Sequence, residues 1–372
     1  MKKLNIAYLD LDDIKNPLLA GGQATATYEV GKRLVKRGHR VIVYCSKYPG
    51  YKDRVEAGIE YKHIGINTGN VKVNNALYIL TIPFIVSAIK NTDIIIECFT
   101  APISTLYSPL FTKIPVIALP SMFNAAEFSR KYKLPFHWIE NFGMKFYKYI
   151  LPYSEIDTSK ALGLNNKINY KIVSQGVDEA FFNIRQNPPK HILYLGRFDI
   201  AQKGIDLLVK AYNKIKNKIE YPLILAGHGP DEKKIRKMIA EYGLQDKVKI
   251  AGSAYGDKKI ELMSEAIYTA FPSRHDEICL WALESLAGGL PLICFDIPES
   301  KWLNDKISLK ARPFDIDEYA SMLLSATETK IWQMSNASRI FARKYSWENV
   351  VTQFEQFFYE VLFIESNHEK NN

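Results

Sequence analysis

Cysteine is scarce in this chain of 372 residues, and the four present (Cys45, Cys98, Cys279 and Cys294) share no metal-ligand or redox spacing. Nothing in their placement suggests a zinc site or a disulfide framework. Biased tracts are missing as well, and a composition of 47% hydrophobic and 24% charged residues is that of an ordinary globular protein. No apolar run reaches the roughly 20 residues of a membrane span. The longest, Ala76 to Ile89, is broken by Pro83 and reads as a buried helix. The first ten residues, MKKLNIAYLD, carry an apolar stretch too short for a leader and read as a first strand. With the cysteines, this leads to the expectation of a reducing, cytoplasmic setting. The seven histidines show no ligand spacing, and no Gly-x-Ser-x-Gly elbow offers a hydrolase nucleophile. Gly227-His228-Gly229 begins like a dinucleotide fingerprint but has Glu232 where the third glycine belongs, which argues against hydride transfer.

Acidic residues are also sparse, but only in the first part of the chain. Residues 1–150 hold 20 Lys and Arg against 11 Asp and Glu, whereas residues 151–372 hold 29 of each, so the whole formal charge of +9 sits in the first part. A basic surface confined to one region points to an anionic partner there, such as a phospholipid or lipid-phosphate surface. The segment 130–153 adds Trp138, Phe142, Phe146 and Tyr149 among its lysines and fits an interfacial helix. The same pattern also fits a core helix with solvated lysines.

Two series of alternating strands and helices follow from the periodicity. Leu4–Leu9, Val41–Cys45, Ile94–Glu97 and Pro115–Leu119 are apolar runs separated by helical segments, the first of them Ala24–Arg37. Continuous rather than alternating apolarity fits parallel strands buried on both faces. Lys171–Val177 reads as a further strand, and the Pro- and Asn-rich stretch 183–189 as a linker. Strands are then expected at 191–196, 222–227, 248–252, 268–271 and 291–295, with helices between them. The chain therefore reads as two Rossmann-like, doubly wound α/β domains facing a central cleft, with boundaries 1–182 and 183–345.

The chemistry concentrates in the second domain. In Pro272–Asp296 a strand ends, a polar loop holds Asp276 and Glu277, and a helix carries Glu284 on an otherwise apolar sequence. The amides of Ile278, Cys279 and Leu280 open that helix, so free N–H groups and the helix dipole form a seat for an anion. Two carboxylates beside such a seat suit a sugar nucleotide, since acids accept from sugar and ribose hydroxyls while the helix start takes phosphate. In Leu195–Tyr212, Arg197 follows a strand directly and Lys203 precedes a helix, which places two cations at the carboxyl edge of the sheet. Arg offers planar bidentate contact and Lys a point charge to a diphosphate. Gly21-Gly22 before the first helix permits close approach of backbone to phosphate, and His228 lies in a loop near the same edge.

The order of Gly21-Gly22, Gly38-His39-x-Val41, Gln175-Gly176-Val177-Asp178, Gly196-Arg197 with Gly204, Ala226-Gly227-His228-Gly229-Pro230, and Pro272-Ser273 followed by acid-x7-Glu284 resembles glycosyltransferase family 4. The resemblance covers most of the chain and is more specific in its second half. It implies the GT-B fold, with a final helix after Ser346-Trp347 (346–365) returning to the first domain. It implies retaining transfer of a sugar from a nucleotide-diphosphate donor to a glycan or lipid-linked acceptor, with no cofactor. Arg197 and Lys203 are then expected to hold the donor diphosphate, Glu284 the ribose, and the loop from Asp276 to Leu280 the transferred sugar and phosphate. Two departures stand out. The family usually has Glu-Gly-Phe-Gly where this chain reads Asp276-Glu277-Ile278-Cys279, and many members place a histidine where it reads Pro120-Ser121-Met122-Phe123-Asn124. Ser121, Asn124 and the strand-end Glu97 are the candidates for acceptor contacts.

Asp10-Leu11-Asp12 and Asp315-Ile316-Asp317 imitate an Asp-x-Asp metal motif, but their positions make them loop acids, and no metal is expected. The expected partners are a nucleotide sugar, its acceptor and an anionic membrane surface, not a nucleic acid. Two other readings stay open: a non-catalytic subunit that binds sugar nucleotides, and a sugar-nucleotide epimerase on the same fold.

Overall fold

The computed structural model describes residues 2–17, 22–99, 103, 105–120, 123, 125–276 and 279–371. The chain divides into two compact units, residues 1–174 with 350–372, and residues 175–349.

The first unit contains β1 (Asn5–Leu9), α1 (Gly22–Lys36), β2 (Arg40–Ser46), β3 (Arg54–Glu56), β4 (Ile59–Ile64), α2 (Val71–Ala88), β5 (Ile94–Phe99), β6 (Val116–Pro120), α3 (Ala125–Tyr132), α4 (Phe136–Gly143), β7 (Tyr149–Ile150), α5 (Glu155–Leu164) and β8 (Asn169–Tyr170). Its eight strands run in the order β3-β4-β2-β1-β5-β6-β7-β8, parallel except for the β3–β4 pair. The core strands β5 and β6 are buried along their whole length, as continuous apolar runs require. The second unit contains α6 (Glu179–Phe182), β9 (His191–Leu195), α7 (Ile200–Lys203), α8 (Ile205–Ile215), β10 (Leu223–Ala226), α9 (Glu232–Glu241), β11 (Val248–Gly252), α10 (Gly256–Ser264), β12 (Ala266–Phe271), α11 (Leu280–Ala287), β13 (Leu292–Phe295), β14 (Ser308–Ala311), α12 (Ile316–Ser325) and α13 (Glu328–Arg343). Its sheet is wholly parallel, ordered β11-β10-β9-β12-β13-β14. A last helix, α14 (Trp347–Asn371), supplies residues from Val350 onward to the first unit. There Arg37 and His39 bind Glu355 at 2.8 and 2.9 Å.

Both sheets are Rossmann-like, and each reverses its strand order once, between β1 and β5 in the first unit and between β9 and β12 in the second. At such a reversal the flanking loops diverge and leave a crevice at the carboxyl ends of the strands, where ligands of open α/β sheets bind. That geometry singles out the loops after β9 and β12, the two that carry Arg197 and Asp276.

Three expectations are corrected. The strand expected at Lys171–Val177 does not form: the two-residue β8 ends at Tyr170, and only an isolated bridge from Val177 to Ser346 remains in that stretch. Gly176 explains the local chain path, since a Cβ there would lie 2.2 Å from the Trp347 ring. The division falls at Ser174/Gln175 rather than at 182/183, because Val177 and Phe182 pack into the apolar core of the second unit. The long apolar run lies in α2, an 18-residue helix of which only Asn74, Tyr78, Ile82 and Val86 are buried. These four residues recur every fourth position and cover one stripe; Leu80 and Phe84 stand 67% and 75% exposed on the other side. By length and composition alone, α2 is apolar enough to cross a membrane.

Candidate functional site

The second unit brings its predicted site residues to one edge of its sheet. Arg197 follows β9 directly, and its side chain is exposed without a hydrogen bond to any described residue. Lys203 closes the short helix α7, and its ammonium pairs with Asp276 of the β12–α11 loop. Asp276 is buried and accepts a second hydrogen bond from the Ser273 hydroxyl at 3.3 Å. The two loops are locked together by backbone. Gly204 has φ +60°, and a Cβ there would lie 2.0 Å from the Pro272 carbonyl oxygen, so only glycine permits this approach. Arg274 and His275 donate their backbone N–H groups to the Gln202 carbonyl at 2.8 and 3.3 Å. The Arg274 guanidinium also grips Asp206 through two bonds, at 2.6 and 2.9 Å. Lys203 and Asp276 therefore meet because three neighbouring side and main chains fix their loops, none of which the spacing of the two residues reveals.

Glu284 emerges in the second turn of α11 and is buried. Its carboxylate pairs with the ammonium of Lys259 from α10. Burial pushes the Glu284 carboxyl above the ordinary glutamate range, an effect that Lys259 opposes and Asp178 reinforces. Cys279, the residue before α11, supplies no side-chain cap, and among the described residues no side chain accepts from the first amides of the helix, that of Leu280 included. Its thiol is held protonated by burial, so it is not a nucleophile at neutral pH. Glu277 and Ile278 lie outside the described residues.

Lys259 also lines a cavity of about 250 Å³, together with Gly196, Arg197, His228, Tyr255 and Trp281 among others. Gly227 lets its floor close up, because a Cβ there would stand 1.8 Å from the Gly196 carbonyl oxygen. His228 sits at the rim and bonds the Ser253 hydroxyl through Nδ1 at 2.7 Å. Sequence reasoning missed Lys259, Trp281 and the Ser253–Tyr255 loop. Lys259 belongs to an ordinary charged helix, and only the fold turns it toward Glu284.

In the first unit the picture differs. Gly22 is the first residue of α1, whereas Gly21, Ser121 and Asn124 lie outside the described residues. Glu97 is not an acceptor contact: it is fully buried, and its Oε1 accepts from the Leu106 amide at 2.8 Å and from the Tyr147 hydroxyl. A strand buried on both faces gives no alternation from which its inward direction could be read. The two Asp-x-Asp sequences have other work. Asp315 caps α12 by accepting from the Asp317 and Glu318 amides. Asp10 is buried at the end of β1 and accepts from the Thr27 hydroxyl at 2.5 Å. Next to it Asp13 anchors the loop, binding Arg54 at 2.6 and 2.7 Å, the Tyr48 hydroxyl at 3.0 Å and His63 Nε2 at 2.9 Å. Despite burial, those bonds hold its carboxyl well below the usual range. The segment 130–153 is not one interfacial helix but α4, a turn and β7, because Tyr149 is buried in the sheet; Trp138 and Phe142 are 69% and 56% exposed.

Residues 177–306 match the family model described as "Glycosyl transferases group 1". A GDP-mannose:cellobiosyl-diphosphopolyprenol alpha-mannosyltransferase of Xanthomonas oryzae pv. oryzae is 26% identical over 302 residues, 76% of this chain and 78% of that protein. Among solved structures, a sucrose-phosphate synthase of Thermosynechococcus elongatus superposes with a TM-score of 0.74 at 16% identity, covering 97% of this chain and 100% of the other. The Anabaena protein HepE in complex with UDP gives 0.72 at 13% identity, covering 96% and 100%. The matched segment spans the loops that carry Arg197, Lys203, Asp276 and Glu284. The comparisons place the chain among glycosyltransferases of the GT-B fold.

Proposed function

We propose that this glycosyltransferase belongs to family 4 and is a retaining, metal-independent enzyme that moves a sugar from a nucleotide-diphosphate donor to a glycan or lipid-linked acceptor. The observation that carries the reading is that the loops after β9 and β12, at the strand-order reversal of the second sheet, hold Arg197 and the Lys203–Asp276 pair, while Arg197 and Lys259, the partner of Glu284, line one cavity. Asp276 pairs with Lys203. A donor diphosphate competes for that lysine and frees the Asp276 carboxylate to accept from a hydroxyl of the transferred sugar. Arg197, exposed and without a protein partner among the described residues, supplies the second cation, and the open amides of α11 the third contact. As the sugar–phosphate bond breaks, charge grows on the leaving diphosphate, and these groups stabilise it more than they stabilise the bound donor. Attack then comes from the face the leaving group departed, as the family resemblance implies. Glu284 takes the ribose, while Glu277, Ile278, Cys279, Leu280 and His228 border the donor. The acceptor falls to the first unit, through Ser121 and Asn124. Mannosyltransferase names among the relatives make GDP-mannose the first donor to try.

The test is a panel of sugar nucleotides offered to the pure protein, with and without a polyprenyl-diphosphate-linked acceptor, in the presence of a chelator. Transfer with the donor's anomeric configuration kept supports the proposal. Loss of turnover on chelation removes the metal-independent part, inversion removes the retaining part, and a new epimer or binding without turnover removes the transferase.

The same reading sets the protein in the cytoplasm, resting on an anionic membrane through its first unit. Val73, Leu80 and Phe84 of α2, Leu110 and Phe111 of the turn that packs against α2, and Trp138 and Phe142 of α4 are all exposed. The Tyr107 ring, 6.3 Å from that of Phe142, links the turn to α4. Lys72 lies in the first turn of α2 and Lys90 just beyond its end, and residues 1–150 carry the whole net charge of +9. Flotation with vesicles of phosphatidylcholine alone and with anionic lipid added decides the matter: equal recovery from both, or from neither, refutes it.

A further inference from the structure

Glu284 alone cannot serve as an ionised ribose acceptor at so buried a position. Its side chain is only 9% exposed, and a carboxylate withdrawn from water without a counter-ion takes up a proton instead. A protonated carboxyl donates one hydrogen bond and accepts less well, so it reads a ribose hydroxyl poorly. The charged groups on elements packed against α11 are few. Asp178, at the start of α6, pushes Glu284 toward protonation. Arg339 of α13 is bound to the carbonyls of Ala287 and Gly288 at the far end of the helix, and Arg343 of α13 pairs with Glu179 of α6. Lys259 is thus the cation at the carboxylate, and it bonds Oε2; no described residue donates to Oε1.

We propose that Lys259 is a positioning residue that keeps Glu284 ionised and turned so that its free oxygen faces the ribose of the nucleotide, making ribose recognition a property of the pair. This rests on the donor-site reading above. The geometry holds Lys259 to that task. Its side chain is only 16% exposed, its ammonium lies 5.3 Å from the centre of the Phe181 ring, and Lys259 lines the 250 Å³ cavity. Its neighbour Lys258 does something else. That ammonium bonds the carbonyls of Ala251 and Ser253 at 2.7 and 3.3 Å, tying α10 to the loop that forms the cavity wall. One lysine therefore fixes the helix, and the next one reaches into the pocket from it.

The experiment is calorimetric titration of wild type, K259M, K259R, E284Q and the K259M/E284Q double variant with GDP and UDP and with their 2′-deoxy and 3′-deoxy forms, from pH 6 to 9. Wild type should prefer the ribonucleotide over at least one deoxy form by about tenfold or more, as expected for a hydrogen bond to a charged group. K259M at pH 7 should reduce that preference to within about threefold, and raising the pH should restore part of it as Glu284 ionises. K259R should keep most of it. A K259M protein that binds with undiminished ribose preference overturns the proposal. If K259M does not fold, the double variant decides, because the neutral amide that E284Q introduces needs no counter-ion. A further loss of ribose preference between E284Q and the double variant would show Lys259 acting on the nucleotide directly, and would overturn the proposal too. Failure of wild type to bind any nucleoside diphosphate would instead remove the donor site itself.

Discussion

Asp10→Asn should make the protein more stable above neutral pH, with a markedly smaller gain at pH 5. Asp10 is fully buried where β1 ends, and no cation meets it among its described partners. Its two oxygens accept from the Asp12 amide at 3.2 Å and from the Thr27 hydroxyl at 2.5 Å, while the charges of Asp12 and Asp13 repel it. Burial, the dominant cause, pushes its carboxyl up to about 7. In the unfolded chain an aspartate ionises near about 3.9. Between those values the folded state holds a proton that the unfolded state has released, so stability is fully present below about 4 and declines as pH rises to about 7. A raised acid thus costs stability at alkaline pH. Three pH units at about 1.4 kcal/mol each set an upper bound of about 4 kcal/mol.

Asparagine has the same shape and no charge. The Thr27 hydroxyl can turn to accept from its amide, so both contacts survive. At pH 8 the variant should therefore gain about 2–4 kcal/mol in the first unit, which for a unit of this size raises Tm by about 5 °C or more. At pH 5 only about one of those three units has been crossed, so the gain should be about 1.5 kcal/mol or less. Scanning calorimetry at both pH values, with the transition of the first unit followed by exchange of β1 amides, measures the difference. An equal shift at both pH values, or a less stable variant at pH 8, would refute the reasoning.

Three more outcomes follow from the second unit. Arg197→Ala and Lys203→Ala should each lower turnover by about 10²-fold, as loss of a donor to transition-state charge does; unchanged kcat in both, with the panel assay above, sinks their assignment. Gly204→Ala should destabilise the second unit by about 2 kcal/mol or more, since it adds a Cβ 2.0 Å from the Pro272 oxygen at a left-handed φ, and urea denaturation would reveal it. Arg274→Ala should lower kcat although Arg274 need not touch donor, because it removes the clamp on Asp206 that holds the Asp276 loop; a normal kcat with normal donor affinity would show the clamp to be dispensable.

What the sequence disclosed and what it withheld divide along a physical line. Parallel strands buried on both faces leave unbroken apolar runs, and these stood out at β1, β9, β10 and β13 without help from the fold. A glycine at the end of one of them stood out as well, because close backbone approach admits nothing larger at Gly227. Arg197, Lys203, Asp276 and Glu284 were legible for the same reason: each lies a fixed short distance from such a strand or helix end. The partners of Glu284 and Asp13 were not. Lys259 is contributed by a different helix, and Arg54 and His63 reach Asp13 from β3 and β4, so only the closed sheet brings them together. Lys258 and Lys259 are identical in sequence terms, yet one bonds backbone and the other a buried carboxylate. Glu97 misled for the converse reason, since an acid at a strand end reads as available when only tertiary packing decides that it faces Tyr147. Residues that act through local geometry are therefore visible in a single chain, and those that act by tuning the charge of another residue are not. That is why the positioning role argued for Lys259 had to be found in the structure, and why its decisive readout is ribose preference against pH rather than activity alone.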